Sequence, residues 1–165
     1  PPPPPPPSPP PPPPPPTTPR PGSWAASVVY KTQLRDPVGA NLDRVLIVKG
    51  WLDEKGETHE RFYDVAVSGD RKIGADGRAR QVVGSTVDID KATYTNTIGE
   101  AVMGVYWQDP NFDPDQPAFY YVRVLEIPTP RWTTYDAAFF GVDRPEIVPA
   151  TIQERAYTSP IWYTP

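Results

Sequence analysis

The densest set of potential ligands in this 165-residue chain is Asp109, Asp113 and Asp115, spaced D-x-x-x-D-x-D across a loop broken by Pro110 and Pro114. Hard cations are held by carboxylates combined with carbonyl oxygens, which makes the trio a calcium candidate. The competing assignment is turn caps ahead of prolines. It is favoured because the Gly and the bidentate Glu of the best-defined calcium loop are missing. Asp88 and Asp90 read as outward strand positions rather than ligands. A hydrolytic zinc or manganese centre needs several imidazoles and carboxylates converging, and His59 is the only His in the chain. Between Thr58 and Glu60, it reads as a solvated histidine at a hairpin tip. A Ser–His relay would have to use the same ring, and no Gly-x-Ser-x-Gly elbow is present. Gly99 and Gly104 lack the spacing of a phosphate loop. No acidic pair is singled out for glycoside hydrolysis by an apolar neighbourhood. The expectation is a non-enzymatic chain with no catalytic residue, cofactor or bound metal.

The aromatic residues carry more information. Most of the five Trp, nine Tyr and five Phe read as sandwich core, and the alternative for a Trp/Tyr subset is exposure at the surface, stacking on sugars or on prolines. Trp132, which follows Pro128-Thr129-Pro130, and Trp162-Tyr163 near the C-terminus are the candidates for such contacts.

Proline divides the chain in two. Of the 27 prolines, 17 fall in residues 1–22, leaving an ordinary loop density in the 143 residues from Ser23 to Pro165. Residues 1–22 read as a tail and 23–165 as one domain, large enough to bury a core without disulfides; the chain has no Cys. Proline fixes φ and removes the backbone donor, so Pro1–Pro16, interrupted only by Ser8, is expected as a polyproline II rod of about 50 Å. Such a rod is expected to lie against its own domain, a neighbouring copy or attached sugar. Ser8, Thr17 and Thr18 are exposed hydroxyls suited to O-glycosylation, as are Pro1–Pro16 themselves if hydroxylated. This texture resembles the hydroxyproline-rich wall glycoproteins of the extensin and pherophorin type. The resemblance implies an extracellular location in a wall, appendage or secreted fibre.

The formal net charge is −4 and the basic residues are scattered, which argues against a nucleic-acid partner. No apolar run approaches the ~18 residues of a membrane span. Without a starting Met or charged leader, the chain is expected to be a processed or excised piece.

The elements that position these residues read as strands. Segments 24–30, 44–52, 61–68, 101–108 and 118–127 are rich in Val, Ile, Tyr, Phe and Trp, with Asp-, Gly- and Pro-containing turns between them. Leu52 and Glu60 bracket a hairpin loop. In the fifth segment Tyr120, Val122, Val124 and Glu126 share one face, and Tyr121, Arg123, Leu125 and Ile127 the other. Two helices are expected, at 133–140 and 150–157. With no crossover helices, the fold class is mainly β: an antiparallel sandwich with one or two short helices, preceded by the tail.

Four long stretches then carry a family resemblance: LRDPVGANLDRVLIVKGWLDEKGETHERFYDVAVSGDR (34–71), TYTNTIG (93–99), DPNFDPDQPAFYYVRVLEIPTPRW (109–132) and QERAYTSPIWYTP (153–165). They resemble the C-terminal portion of the domain-of-unknown-function 3604 family. The upstream part of that family is thought to resemble metal-dependent phosphoesterases, and the resemblance assigns no activity to the portion seen here.

Three functions follow as expectations. The first is a non-catalytic extracellular structural module, in which a glycosylated rod and a β-sandwich bead assemble head to tail with copies of the same chain. The second is the accessory domain of a phosphoesterase-like enzyme whose catalytic part is absent. The third is a carbohydrate-binding module on a wall linker.

Overall fold

The computed structural model describes residues 28–165. The tail, Trp24, and the glycosylation candidates Ser8, Thr17 and Thr18 lie outside the described residues. Nine strands and one helix follow in order: β1 (Val28–Leu34), β2 (Leu42–Leu52), β3 (Thr58–Val67), β4 (Val102–Gln108), β5 (Ala118–Glu126), β6 (Thr129–Pro130), α1 (Trp132–Phe140), β7 (Thr151–Ile152), β8 (Arg155–Tyr157) and β9 (Ile161–Tyr163). The class is the expected one, mainly β and antiparallel.

The main sheet has the order β3-β2-β5, with β8 and β9 sharing the far edge of β5. β2 lies between the two other long strands of the sheet. It pairs with β3 from Arg44↔Val67 to Leu52↔Thr58, and with β5 from Leu42↔Glu126 to Trp51↔Ala118. The second layer is the β1–β4 ribbon, paired from Val28↔Gln108 to Leu34↔Val102. Met103 and Val105 of β4 pack on Val45 and Ile47 of β2 and on Tyr120, Val122 and Val124 of β5. The alternation in β5 therefore holds from Ala118 to Val124, with Ala118, Tyr120, Val122 and Val124 buried and Phe119, Tyr121 and Arg123 facing away from the core; it fails beyond the strand, where Ile127 is fully buried.

The hairpin joining β2 to β3 is closed by chemistry local to its sequence. The Gly56 amide donates to the Asp53 carbonyl at 2.9 Å, and Gly56 has φ +77°, a region that glycine enters without steric cost. The Asp53 carboxylate accepts the Lys55 and Glu57 amides, both at 2.9 Å.

Two expectations fail. The helix expected over 150–157 is two short strands, because Arg155–Tyr157 completes the edge of β5 opposite Leu125–Arg123. The unpaired backbone groups of that edge outweigh a weak local preference for helix. Asp88 and Asp90 lie in a turn closed by Asp88 and Thr93 rather than in a strand, with Asp88 paired to Lys91 at 3.2 Å.

The long irregular segment between β3 and β4 is held by buried charge. Asp43 accepts from Arg71 at 2.6 Å and from Gln153 at 2.9 Å, while Asp64 takes the Ala79 amide at 2.8 Å. Buried carboxylates are tolerable because cationic and amide donors surround them. Among the described residues no helix is long and apolar enough to cross a membrane.

Candidate functional site

Two places in the bead are candidates for a site. The first is closed. Lys49 stands on β2 between Ile47 and Trp51 on the core face, only 3% exposed, and its Nζ donates to Asp109 at 2.6 Å and to the Asn111 carbonyl at 2.7 Å. The Tyr120 hydroxyl donates to the same Asp109 oxygen at 2.7 Å. Nζ also lies 5.3 Å from the Trp51 ring centre and 5.7 Å from that of Tyr120, within cation–π range. Burial, reinforced by the bond to Asp109, pushes the Tyr120 hydroxyl far above the ordinary tyrosine range, and burial raises Tyr63 as well. An ion pair this enclosed holds the loop after β4 against the sheet.

This placement accounts for the calcium candidates. Asp109 is buried and faces a lysine cation. Asp113 accepts the Asp115 amide at 2.9 Å, the geometry of a turn cap. The three side chains do not converge. Among the described residues, the group of three whose ligand atoms lie within 4.8 Å of one another is Asp53, Glu57 and His59. That group is tied into the hairpin: His59 Nε2 is 2.9 Å from Asp53, and the imidazole stacks on Trp51 with centres 5.2 Å apart. The hydrogen bond from His59, followed by the Glu57 amide, holds Asp53 below the usual carboxylate range. His59 is exposed, as expected of a solvated histidine, but it is the second residue of β3 and stacks on an indole rather than standing free in the loop.

The second place is open and mostly aromatic. A groove of about 380 Å³ wraps the end of the main sheet, with walls from Trp51, His59, Phe119, Trp162 and Tyr163. A second hollow of about 360 Å³ continues across the outer face of β5, between Phe119, Tyr121, Tyr157 and Trp162. The two share Phe119 and Trp162 as walls. Ring centres step from Trp162 to Phe119 at 5.2 Å, on to Tyr121 at 6.4 Å, and then to Tyr157 at 6.2 Å.

Three local features set this ladder. Phe119 and Tyr121 are two apart on β5 and so share a face. Gly50 on β2 makes room for Phe119, whose ring a Cβ there would strike. The guanidinium of Arg123 lies 5.0 Å from the Tyr157 ring and 5.5 Å from that of Phe62, and it donates to the Tyr121 hydroxyl at 3.1 Å. Tyr163 is fixed as a wall by its hydroxyl, which donates to the Pro114 carbonyl at 2.7 Å, and by an edge contact with Phe112.

Of the three aromatic candidates, Trp162 and Tyr163 belong to the groove, the former 70% exposed. Trp132 does not. It opens α1, where Trp132, Tyr135, Phe139 and Phe140 are exposed and only Thr133 and Thr134 are buried. Phe119, Tyr121 and Tyr157 were not singled out from the sequence, although the period-two spacing of Phe119 and Tyr121 in a strand was the available signal.

Comparison with known proteins adds one result. A family model described as "Protein of unknown function (DUF3604)" matches residues 22–165. No curated protein and no solved structure matches the chain.

Proposed function

The chain belongs to the DUF3604 family, and from that premise we propose that it is a non-catalytic structural module of an extracellular glycoprotein. In this reading the O-glycosylated polyproline rod and the β-sandwich bead assemble head to tail with further copies. The observation that carries it is the pair of unlike apolar surfaces on one bead. One is the concave aromatic ladder on β5, and the other is the exposed face of α1, with Phe139 at 83% and Phe140 at 68% exposure. A head-to-tail contact is heterologous, so it needs two different patches rather than one self-complementary patch, and it grows without closing. Large exposed apolar patches on a small domain mark contact surfaces.

Sedimentation velocity on the chain isolated from its native source tests this. The expected outcome is growth with concentration and no limiting oligomer, reversed by Phe139→Asp with Phe140→Asp. A single monomeric species at high concentration overturns it. An intact-mass spectrum of the same material should show hydroxyl and pentose additions on a polypeptide near 18.3 kDa.

The α1 face also favours a second reading, in which it is covered by the catalytic part of a longer phosphoesterase-like protein and this domain is accessory to it. An unmodified and much larger intact mass supports that alternative.

A further inference from the structure

We infer that the aromatic groove at the end of the main sheet is a binding site for polyproline II, and that its ligand is the Pro1–Pro16 segment of this chain. The inference deepens the assembly reading by making the rod the occupant of the aromatic ladder, which leaves the α1 face as the bead's second contact surface. It rests on that reading only for whether the rod comes from a neighbouring copy.

Chain geometry brings the segment to the groove. Val28 opens β1 opposite Gln108, the last residue of β4. The next residue, Asp109, is held by Lys49, two positions before the groove wall Trp51. The chain therefore enters the sandwich at the end where the groove lies. Residues 17–27 connect Pro16 to that point, and a connector of that length reaches up to about 36 Å when extended. The rod can lie across its own bead or reach one beside it.

The chemistry of the two surfaces is complementary. A polyproline rod has carbonyl acceptors, no backbone donor at proline, and no charge. The walls offer apolar ring faces, with N–H donors on Trp51 and Trp162 and an O–H donor on Tyr157. Aromatic-lined grooves accept this preformed helix because little ordering entropy is lost. The successive spacings of 5.2, 6.4 and 6.2 Å make a ladder no longer than about two polyproline turns of roughly 9 Å each. One groove holds about six residues, fewer than half of the segment, leaving proline for a second contact.

The test uses the full chain. Because it contains no Cys, Ser8→Cys supplies a single thiol for a nitroxide label near the middle of the rod. At about 3.1 Å per residue, no proline of the segment lies more than about 25 Å from that position, so any register on the groove is read. The expected result is loss of the indole N–H signals of Trp51 and Trp162, with Trp132 unaffected. Trp162→Ala, at an exposed position, should weaken the hold by roughly tenfold, as for an aromatic anchor, and restore the Trp51 signal. Mixing isotope-labelled chains with separately spin-labelled ones distinguishes the two sources. Loss in the mixture supports docking between copies, whereas loss confined to dilute singly labelled chains supports the groove and overturns head-to-tail assembly. If neither sample shows loss at the groove, the inference is overturned, and the assembly reading stands or falls on sedimentation alone. Displacement of groove signals by added pentose oligosaccharide without any effect of the label overturns it in favour of a sugar site.

Discussion

Tyr120 and Tyr121 are adjacent on β5, identical in chemistry, and opposite in role. Tyr120 faces the core, is 1% exposed, and spends its hydroxyl on Asp109 beside Lys49. Tyr121 faces outward, accepts from Arg123, and forms a wall of the open ladder. On the inner face, polar groups are enclosed and must satisfy one another. On the outer face, rings remain accessible and their polar ends reach water. The difference shows that strand alternation divides the aromatic residues of β5 between the core and the outer face.

Substitutions on either side of the sheet probe that contrast. The largest effect is expected at Lys49. Lys49→Ala leaves the Asp109 carboxylate buried without its cation and should cost about 3–5 kcal/mol, read as a fall in the urea midpoint. Tyr120→Phe removes one donor to that carboxylate and should cost about 1.5–3 kcal/mol, while Tyr121→Phe should stay within about 0.5 kcal/mol. Equal costs for the two tyrosines would erase the distinction between the faces. Gly50→Ala drives a methyl group into the Phe119 ring and should cost about 1–3 kcal/mol. Most of that cost should vanish in a Phe119→Ala background, a coupling measured by a double-mutant cycle.

At the end of β5 the contrast takes a pH-dependent form. Burial first, and then the neighbouring Glu154, raises Glu126 above the usual carboxylate range. Because the folded state then holds the proton more tightly, the contribution of Glu126 is fully present below the ordinary glutamate pKa and is lost as pH rises through its folded value. Glu126→Gln should therefore stabilise the domain at neutral pH, and the gain should disappear in acid. The smallest effect on stability is expected from Trp162→Ala, within about 0.5 kcal/mol for an exposed side chain. A large loss there would make Trp162 part of the core rather than of a binding surface.

Much of the architecture was legible. β2 to β5 lie within a few residues of the segments expected from β-branched and aromatic runs, and α1 differs from 133–140 by one residue. The segment at 150–157 was misread because its pattern is compatible with two helical turns, whereas the free edge of β5, remote in sequence, decided its conformation. Trp162 was recognisable as an exposed aromatic, whereas Tyr163 is half-buried against the core, and the ladder was not legible, since Tyr157 and Trp162 reach Phe119 and Tyr121 only through the pairing of β8 and β9. The calcium candidates looked plausible because spacing alone cannot reveal that a lysine 60 positions earlier already faces Asp109.

By itself, the sequence determined the antiparallel class, the hairpin closed by Asp53 and Gly56, and the two faces of β5 from Ala118 to Val124. These follow from φ restrictions, turn chemistry and a period of two, all of which act over a few residues. Only the tertiary structure decided which carboxylate is neutralised by Lys49, which edge the C-terminal segment completes, and which rings line one groove. Those outcomes depend on partners brought together by sheet register, and register is settled by burying one face of the whole sheet rather than by any local run of residues.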